Sequence, residues 1–235
     1  MTHYLPAVAG LLMEKEVRYL GALVASPPRP FAAVVGGAKV SSKLPAIQHL
    51  LPKVDLLLVG GGMANTFLKA RGVDVGASLV EDDLLDAAGE LMRTAESRGV
   101  ELHLPVDVVA ASRFAADAET ATVPVDSVPR GYLILDIGPE TVRRYAEALR
   151  RAKAVVWNGP MGVFEMEPFA AGSFELARAI ANLDAVTVVG GGETAAVVAA
   201  TGLQDRFTHV STGGGASLEM LEGKTLPGVA ALLDA

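Results

Sequence analysis

Short apolar runs recur along the chain, and a glycine-rich turn follows each of them. The run at 56–59, for example, is Leu-Leu-Leu-Val and contains no polar position. Continuous apolar runs of this kind are typical of strands that are buried on both faces of a parallel sheet. The pattern predicts five buried strands, which with their turns are 31–35 with Gly36-Gly37, 55–59 with Gly60-Gly61-Gly62, 154–157 with Asn158-Gly159, 185–189 with Gly190-Gly191-Gly192, and 207–210 with Gly213-Gly214-Gly215.

Helical patterns alternate with these strands, at 43–51, 64–71, 141–152, 169–182 and 194–201. Alternation of strands and helices predicts an α/β fold, a doubly wound, mostly parallel, Rossmann-like sheet with helices on both faces. A further helix is predicted over 6–25, before a stop at Ser26-Pro27-Pro28-Arg29-Pro30.

The middle of the chain departs from this alternation. One long amphipathic helix is predicted over 81–98. Strand-like segments then follow closely at 101–104, 106–111 and 121–125. We expect these three segments to form a small side sheet.

Composition narrows the classes of function. The chain has 235 residues, 51% of them hydrophobic, which suits one large domain. It contains no cysteine, which excludes disulfides and thiolate chemistry and fits the cytoplasm. The formal net charge is -7 and basic residues form no run, so we expect no nucleic-acid partner and no membrane surface. No apolar run approaches the ~20 residues that cross a bilayer.

The glycine turns predict a ligand site. The carboxyl ends of parallel strands meet at one edge of the sheet, where open α/β folds bind their ligands. Glycine lets the backbone approach a ligand closely, and the amides at a helix start attract anions. A single turn of this kind would indicate only a tight bend, but five at one edge favour a phosphate-bearing ligand. The turns match neither Gly-x-x-x-x-Gly-Lys-Ser/Thr nor the dinucleotide fingerprint, because Asn65 stands where the third glycine belongs.

Three turns add side chains with suitable chemistry. Lys39 and Lys43 lie one helical turn apart after Gly36-Gly37, and an anion between them would relieve their repulsion with the helix dipole. The alternative is two solvated surface lysines. Glu193 and Thr194 can hold Mg²⁺ and a phosphate oxygen, or can be a dipole partner and a helix cap. Glu165 can accept ribose hydroxyls or be a surface acid, and a packed position is favoured for His209.

Taken together, the motifs of the chain resemble those of one family, the phosphoglycerate kinases. The resemblance covers essentially the whole chain. The matching strings are Gly36-Gly37-Ala38-Lys39-Val40-Ser41, Gly60-Gly61-Gly62-Met63-Ala64, Thr66-Phe67-Leu68, Leu104-Pro105-Val106-Asp107, Asp136-Ile137-Gly138-Pro139-Glu140, Trp157-Asn158-Gly159-Pro160-Met161-Gly162-Val163-Phe164-Glu165, His209-Val210-Ser211-Thr212-Gly213-Gly214-Gly215-Ala216-Ser217-Leu218-Glu219, Leu221-Glu222-Gly223-Lys224 and Leu226-Pro227-Gly228-Val229.

The resemblance reaches only the second half of that family. Its members have an N-terminal domain for 3-phosphoglycerate or 1,3-bisphosphoglycerate and a C-terminal domain for MgADP or MgATP. The chain therefore resembles the C-terminal domain at 26–235, preceded by the interdomain helix region at 1–25. Its last ten or so residues resemble a tail that returns to the N-terminal domain. Full-length members are expected to be monomers, and the phosphoglycerate would bind only with the N-terminal domain present.

The resemblance also implies roles for individual residues. Lys39 and Lys43 would contact the nucleotide phosphates and, with the amides of Gly213, Gly214 and Gly215, act on the transferring phosphoryl group. Ser211 and Thr212 would lie in a hinge. The remaining nucleotide and metal contacts would come from Gly37 and Ala38 beside the phosphates, Gly61, Gly62 and Ile134 at the adenine, Gly159, Phe164 and Glu165 at the adenosine, and Gly191, Gly192, Glu193 and Thr194 at the phosphates and Mg²⁺.

Three positions depart from the family pattern. The family usually has Asp at the position of Glu193, and often has Asp at Ser42 and Gly at Ile134. Since Mg²⁺ demands near-ideal octahedral geometry, the extra methylene of Glu193 counts against direct coordination of the ion by this carboxylate. The branched Ile134 is expected to narrow the adenine pocket.

The resemblance implies reversible phosphoryl transfer between 1,3-bisphosphoglycerate and ADP in glycolysis, with this chain alone binding nucleotide and not catalysing. The alternative is a stand-alone nucleotide-binding or interaction module without catalysis. An unusual dinucleotide oxidoreductase is disfavoured by the broken fingerprint.

Overall fold

A computed structural model describes residues 7–232 of the chain. Its strands are β1 (Phe31–Val35), β2 (Leu56–Val59), β3 (Glu101–His103), β4 (Asp107–Ala111), β5 (Thr120–Pro124), β6 (Leu133–Ile137), β7 (Ala154–Asn158), β8 (Val186–Gly190) and β9 (His209–Val210). Its helices are α1 (Leu11–Ala25), α2 (Leu44–Leu50), α3 (Met63–Ala70), α4 (Leu85–Ser97), α5 (Pro139–Leu149), α6 (Ala171–Ala181), α7 (Gly192–Thr201), α8 (Gly215–Leu221) and α9 (Pro227–Ala230).

The main sheet has six strands in the order β3-β2-β1-β7-β8-β9, and all of its pairs are parallel. The five predicted strands all belong to it, so the five glycine turns lie at one edge, as predicted. The chain proceeds from β1 to one side of the sheet and returns at β7 on the other side. This reversal leaves a crevice at the carboxyl ends of β1 and β7, the usual ligand position in doubly wound sheets.

Helices cover both faces of the main sheet, as predicted. In β1, Phe31, Ala33 and Val35 pack into one core cluster with residues of α1 to α4. The alternate positions Ala32 and Val34 pack into a second cluster with residues of α5, α6 and α7. Burial on both faces is the reason that the strand sequences show no polar alternation.

A second, three-stranded sheet has the order β5-β4-β6, and both of its pairs are antiparallel. Two of the three predicted side-sheet strands, β4 and β5, are confirmed. The prediction for 101–104 was wrong, because β3 pairs in parallel with β2 at the edge of the main sheet. The chain between β2 and β3 carries α3 and α4, a crossover long enough for a parallel connection.

The strand that completes the side sheet, β6, was missed by the sequence patterns. It pairs with β4 through Val108↔Ile137 and Ala111↔Leu133. The predicted helix over 81–98 is also divided, since a 3₁₀ turn at Asp82–Leu84 precedes α4.

The position of α5 is fixed by a side chain of the side sheet. The Asp107 carboxylate accepts hydrogen bonds from the Glu140 amide (3.0 Å) and the Thr141 amide (2.6 Å) at the start of the helix. Pro139 occupies the first helical position, where no amide proton is needed. The motif residues at 107 and 138–141 therefore join the side sheet to α5, which packs against the main sheet.

The N-terminal helix begins at Leu11, later than the predicted start, and ends at Ala25 as predicted. Pro6 and residues 233–235 lie outside the described part of the chain. Leu20 and Leu23 are each 1% exposed and belong to the core. Between residues 7 and 232, every helix is too short or too polar to cross a membrane.

Candidate functional site

A cavity of about 360 Å³ opens at the carboxyl edge of the main sheet, between that edge and the side sheet. Asn65, Glu165 and Glu193 bring polar side chains to a wall that is otherwise glycine and apolar. This size and composition are typical of small-molecule sites. Seven of the predicted site residues line it: Gly37, Ala38, Gly61, Gly62, Ile134, Glu165 and Glu193.

The glycine turns pack directly against one another around this cavity. The Gly37 amide donates to the carbonyl of Pro160 (2.9 Å), and the Gly37 carbonyl accepts from the Met63 amide (3.0 Å). A Cβ on Gly61, whose φ is +66°, would lie only 2.7 Å from the backbone nitrogen of Gly37. Side chains at these positions would separate the turns, so glycine is required for their contact as well as for their conformation.

Lys43 reaches from the N-terminus of α2 to the end of β7, where its ammonium donates to Asn158 Oδ1. Burial lowers the pKa of Lys43, and the charges of Glu193 and Glu222 offset part of this effect. Asn158 is 4% exposed, and its Nδ2 has no acceptor among the described residues. The switch point of the sheet is the crevice between the carboxyl ends of β1 and β7, where the chain reverses direction across the sheet. A half-buried ammonium beside a free amide donor at this place suits an anionic ligand.

Lys39 lies on the exposed part of the same turn. Its backbone carbonyl accepts a hydrogen bond from the Ser42 hydroxyl (2.8 Å), which shapes the turn locally. Lys39 follows Ala38, which lines the cavity, and a phosphate contact of its side chain stays a prediction.

Two predicted carboxylates, Glu165 and Glu193, face the cavity. Within residues 7–232 no three His, Cys, Asp or Glu side chains come together as a metal site. Glu193 thus belongs to no ready-made set of three protein ligands within that range. A cation there would need phosphate and water oxygens as its other ligands, which is how Mg²⁺ usually binds with nucleotides.

Thr194 lies at the start of α7 and is fully buried. Its hydroxyl accepts a hydrogen bond from the Gly159 amide (2.6 Å) and so ties the fourth glycine turn to the third. A contact between this hydroxyl and a phosphate oxygen stays a prediction.

Replacement of Thr194 by valine is expected to lower the free energy of unfolding by about 1–3 kcal/mol, because the Gly159 amide loses its acceptor. Thr194→Ser keeps the hydroxyl and serves as the control. Urea unfolding of the three proteins measures the difference. Equal stability of the valine variant and the wild type would show that this hydroxyl does not hold the amide.

The side sheet forms the apolar wall of the cavity. Ile134 and Leu135 contribute from β6, and Phe114 contributes from the loop between β4 and β5. Ile134 is 8% exposed, and its amide donates to Ser78 Oγ (2.8 Å). The branched side chain expected at the adenine position thus forms part of the wall.

Removal of this side chain, in Ile134→Gly, is expected to lower the affinities for adenosine and for ADP by the same factor, about threefold to tenfold, because apolar contact with the base is lost. Pyrophosphate, which has no base, is expected to bind unchanged. Calorimetry with ADP, GDP, adenosine and pyrophosphate tests this. If the variant binds all of them as the wild type does, Ile134 does not contact the base.

Other predicted site residues lie beside the cavity rather than in its wall. Gly191, at the start of α7, has a φ of +88° and faces the Asn158 side chain. Phe164 and Phe174 both line a neighbouring groove. Gly213, Gly214 and Gly215 lead into α8, after the last strand. A role for these three glycines in transfer stays a prediction.

The predicted hinge residues Ser211 and Thr212 contact the N-terminal helix. Glu16 accepts from the Thr212 amide (2.8 Å) and lies 3.0 Å from His209 Nε2. Burial alone would raise the pKa of Glu16, but hydrogen bonds from His209, Thr212 and Ser211 hold it below its usual range. His209 is 8% exposed and stacks on Tyr19, which confirms the packed position favoured for it.

Behind the cavity, Asp136 is 2% exposed and links β6 to α6. Its carboxyl accepts from the amides of Gly172 (2.7 Å) and Ile137 (2.9 Å). Burial raises the pKa of Asp136 to about 7, although both hydrogen bonds oppose the rise. Gly162 also abuts this carboxyl, so Asp136 fixes the part of the cavity wall that follows β7.

Sequence reasoning missed several wall residues. Leu79 and Phe114 are 49% and 61% exposed, and a large apolar residue within a polar loop was the one available signal. Asn65 is 1% exposed, and its Oδ1 has no partner within the described chain. The other wall residues without a predicted role are Leu133, Leu135, Pro160, Gly162 and Val163.

Comparisons with known proteins agree on one family. The model of the family described as phosphoglycerate kinase matches residues 1–224. The phosphoglycerate kinase of Pelotomaculum thermopropionicum is 62% identical over 231 residues, which are 98% of this chain and 59% of the relative. The cytosolic phosphoglycerate kinase of Triticum aestivum is 56% identical over 98% of this chain and 58% of the relative.

Solved structures give the same result. The phosphoglycerate kinase of Coxiella burnetii superposes with a TM-score of 0.93 at 46% identity, over 97% of this chain and 59% of that one. The enzyme of Pyrococcus horikoshii gives 0.81 at 35% identity, over 98% of this chain and 58% of that one. The chain spans about 60% of the length of the curated relatives it matches.

Proposed function

Because the chain belongs to the phosphoglycerate kinase family, we propose that it is the half of such an enzyme that binds MgADP or MgATP. The observation that carries this proposal is the half-buried Lys43 ammonium beside Asn158, at the switch point of the sheet and next to the cavity. The proposed reaction of the whole protein is reversible phosphoryl transfer between 1,3-bisphosphoglycerate and ADP, as in glycolysis.

The base is proposed to lie in the apolar part of the cavity, between the first two glycine turns and the side sheet. Ile134, Leu79 and Phe114 would exclude water from it, and Glu165 would accept the ribose hydroxyls. Because the wall offers few polar side chains, the base would be held mainly by apolar contact.

The phosphates are proposed to extend from the cavity toward Lys43. Lys39, Lys43 and the amides at the start of α7 would hold their charge, with the amides of Gly213, Gly214 and Gly215 facing the transferring group. Such fixed donors stabilise charge that is spread over phosphoryl oxygens in the transition state. The protein would therefore act by positioning the reactants and neutralising their charge, and no covalent intermediate would form on the protein.

Glu193 fits a role in holding Mg²⁺, since its carboxylate faces the cavity beside the proposed phosphate site. When bound, the ion would neutralise phosphate charge. Glu193 would hold it directly or through a water molecule.

Glu193→Gln is expected to reduce the gain in ADP affinity that Mg²⁺ gives by about tenfold, because a charged ligand is lost. Binding of metal-free ADP is expected to be equal or tighter, since a negative charge near the phosphates is removed. Calorimetry with and without Mg²⁺ measures both. Glu165→Gln is the matched control and is expected to keep the Mg²⁺ effect; an unchanged Mg²⁺ effect in the Glu193 variant would refute the metal role.

The phosphoglycerate is proposed to bind outside this chain, on the part of the relatives' length that the chain does not span. We expect the full-length protein to be a cytoplasmic monomer that uses neither nucleic acid nor membrane as partner. The wheat relative is named a cytosolic enzyme, which supports the location.

A second candidate is a stand-alone nucleotide-binding or interaction module without catalysis. The observation that supports it is the cavity itself, whose size and mainly apolar wall are typical of a ligand site whether or not a reaction follows. Both candidate functions include nucleotide binding. Calorimetry of the chain with ADP, NAD and 3-phosphoglycerate tests this shared property. We expect binding of ADP alone; absence of ADP binding would contradict the nucleotide site, and preference for NAD would restore the oxidoreductase alternative.

A further inference from the structure

Glu81 lies outside the cavity wall, yet its carboxylate accepts two hydrogen bonds from the turn that carries Lys39 and Lys43. We call residues 36–43 the lysine loop. Glu81 Oε2 accepts from the Ser41 amide (2.9 Å), and Oε1 accepts from the Ser41 hydroxyl (2.5 Å). The two hydrogen bonds hold both the backbone and the side chain of Ser41.

Ser41 is midway between the two lysines. The helix that follows, α2, begins at Leu44 and has no side-chain cap at Lys43. Glu81 is thus a side chain from a distant segment that fixes the loop just before this uncapped helix. Loss of these hydrogen bonds would let Ser41 move, and with it the backbone segment that carries both lysines.

The backbone of Glu81 is itself anchored. Its amide donates to Thr66 Oγ1 (3.2 Å), and the neighbouring Asn65 Nδ2 donates to the carbonyl of Leu79 (3.3 Å). Asn65 and Thr66 are each 1% exposed and belong to α3, which starts at the second glycine turn. The segment that carries Glu81 is therefore attached to buried residues of α3, one of which lines the cavity.

We infer that Glu81 is a positioning residue for phosphate binding, which holds the lysine loop through Ser41 in the conformation that presents Lys39 and Lys43 to the ligand. This inference rests on the proposed function of the loop. Burial opposes ionisation of Glu81, but the hydrogen bonds from Ser41 and Val40 and the charge of Lys39 hold its pKa below the usual range, so it is charged at neutral pH.

The sign of the effect separates positioning from simple electrostatics. A carboxylate near bound phosphates repels them, so its neutralisation alone would tighten ADP. If Glu81 positions the loop, its neutralisation weakens ADP instead. Adenosine, which has no phosphate, would be unaffected in either case.

Calorimetry with ADP and adenosine tests the inference on wild type, Glu81→Gln, Ser41→Ala, the double variant and Ser41→Thr. We expect Glu81→Gln and Ser41→Ala each to weaken ADP about threefold to tenfold, with adenosine unchanged. The double variant is expected to lose less than the product of the two single losses, because the two changes share one hydrogen bond: Ser41→Ala removes only the bond from the hydroxyl, and Glu81→Gln weakens that bond and the one from the Ser41 amide. Ser41→Thr keeps both donors and is expected to retain wild-type affinity.

Asp83→Asn is the matched control, since it removes an exposed charge two residues away. It is expected to bind ADP as the wild type does or slightly more tightly. Equal or tighter ADP binding by Glu81→Gln would overturn the inference, as would equal losses for ADP and adenosine. If Lys43→Met weakens ADP while Glu81→Gln does not, the inference fails and the proposed function stands; if the wild type binds no ADP, both fail.

Discussion

Lys43→Met is expected to weaken ADP by about tenfold to a hundredfold and to leave adenosine binding unchanged. The ammonium is half-buried at the switch point, where it already donates to Asn158. A bound phosphate would replace weak partners with a full negative charge in a poorly solvated place, so the interaction is strong. Methionine keeps most of the apolar side chain and removes the charge. Titration of both ligands by calorimetry gives the two ratios.

Lys153→Met is the control for this prediction. Lys153 precedes β7 at the opposite edge of the sheet and pairs with the exposed Asp184 (3.4 Å). Its replacement is expected to change neither affinity. If Lys43→Met binds ADP as tightly as the wild type, the lysine loop does not hold the phosphates.

The isolated chain is expected to bind nucleotide and to show essentially no phosphoryl transfer between ATP and 3-phosphoglycerate. Holding two reactants in line accounts for ~7–11 kcal/mol of a barrier, and a chain that holds only one of them loses this contribution. A coupled assay with ATP and 3-phosphoglycerate measures turnover directly.

The same assay with the separately produced N-terminal half of a related enzyme provides the comparison. Any activity is expected only in the mixture. Robust turnover by the isolated chain would mean that it contains an acid site and that the division of roles proposed here is wrong. No turnover in the mixture, together with no nucleotide binding, would favour an interaction module.

The main sheet could be predicted from the sequence because its strands are buried on both faces. Their apolar runs are continuous, and each ends at a glycine turn. The strand β6 was missed because Asp136 interrupts its apolar run. That buried carboxyl accepts hydrogen bonds from its neighbour Ile137 and from Gly172, and the contact with Gly172 of α6 cannot be read from the local sequence. The assignment of β3 failed because a short strand does not specify in its own pattern which neighbour it pairs with.

The polar and glycine part of the site could be predicted for the same reason, since the carboxyl ends of parallel strands must meet at one edge. The apolar wall could not. Leu79 and Phe114 belong to irregular loops, and only the packing of the side sheet against the main sheet brings them to the cavity. The contact between Glu81 and Ser41 spans 40 positions and has no local signature.

The central claim is that a nucleotide binds at the carboxyl edge of the main sheet, and amide hydrogen exchange with and without MgADP tests it most directly. We expect slower exchange in the presence of MgADP at the glycine turns, in 36–43, 60–65, 159–165 and 190–194. Exchange at the opposite edge, in 52–55 and 183–185, is expected to stay the same. Protection confined to the opposite edge, or no protection under conditions in which calorimetry shows binding, would contradict the claim.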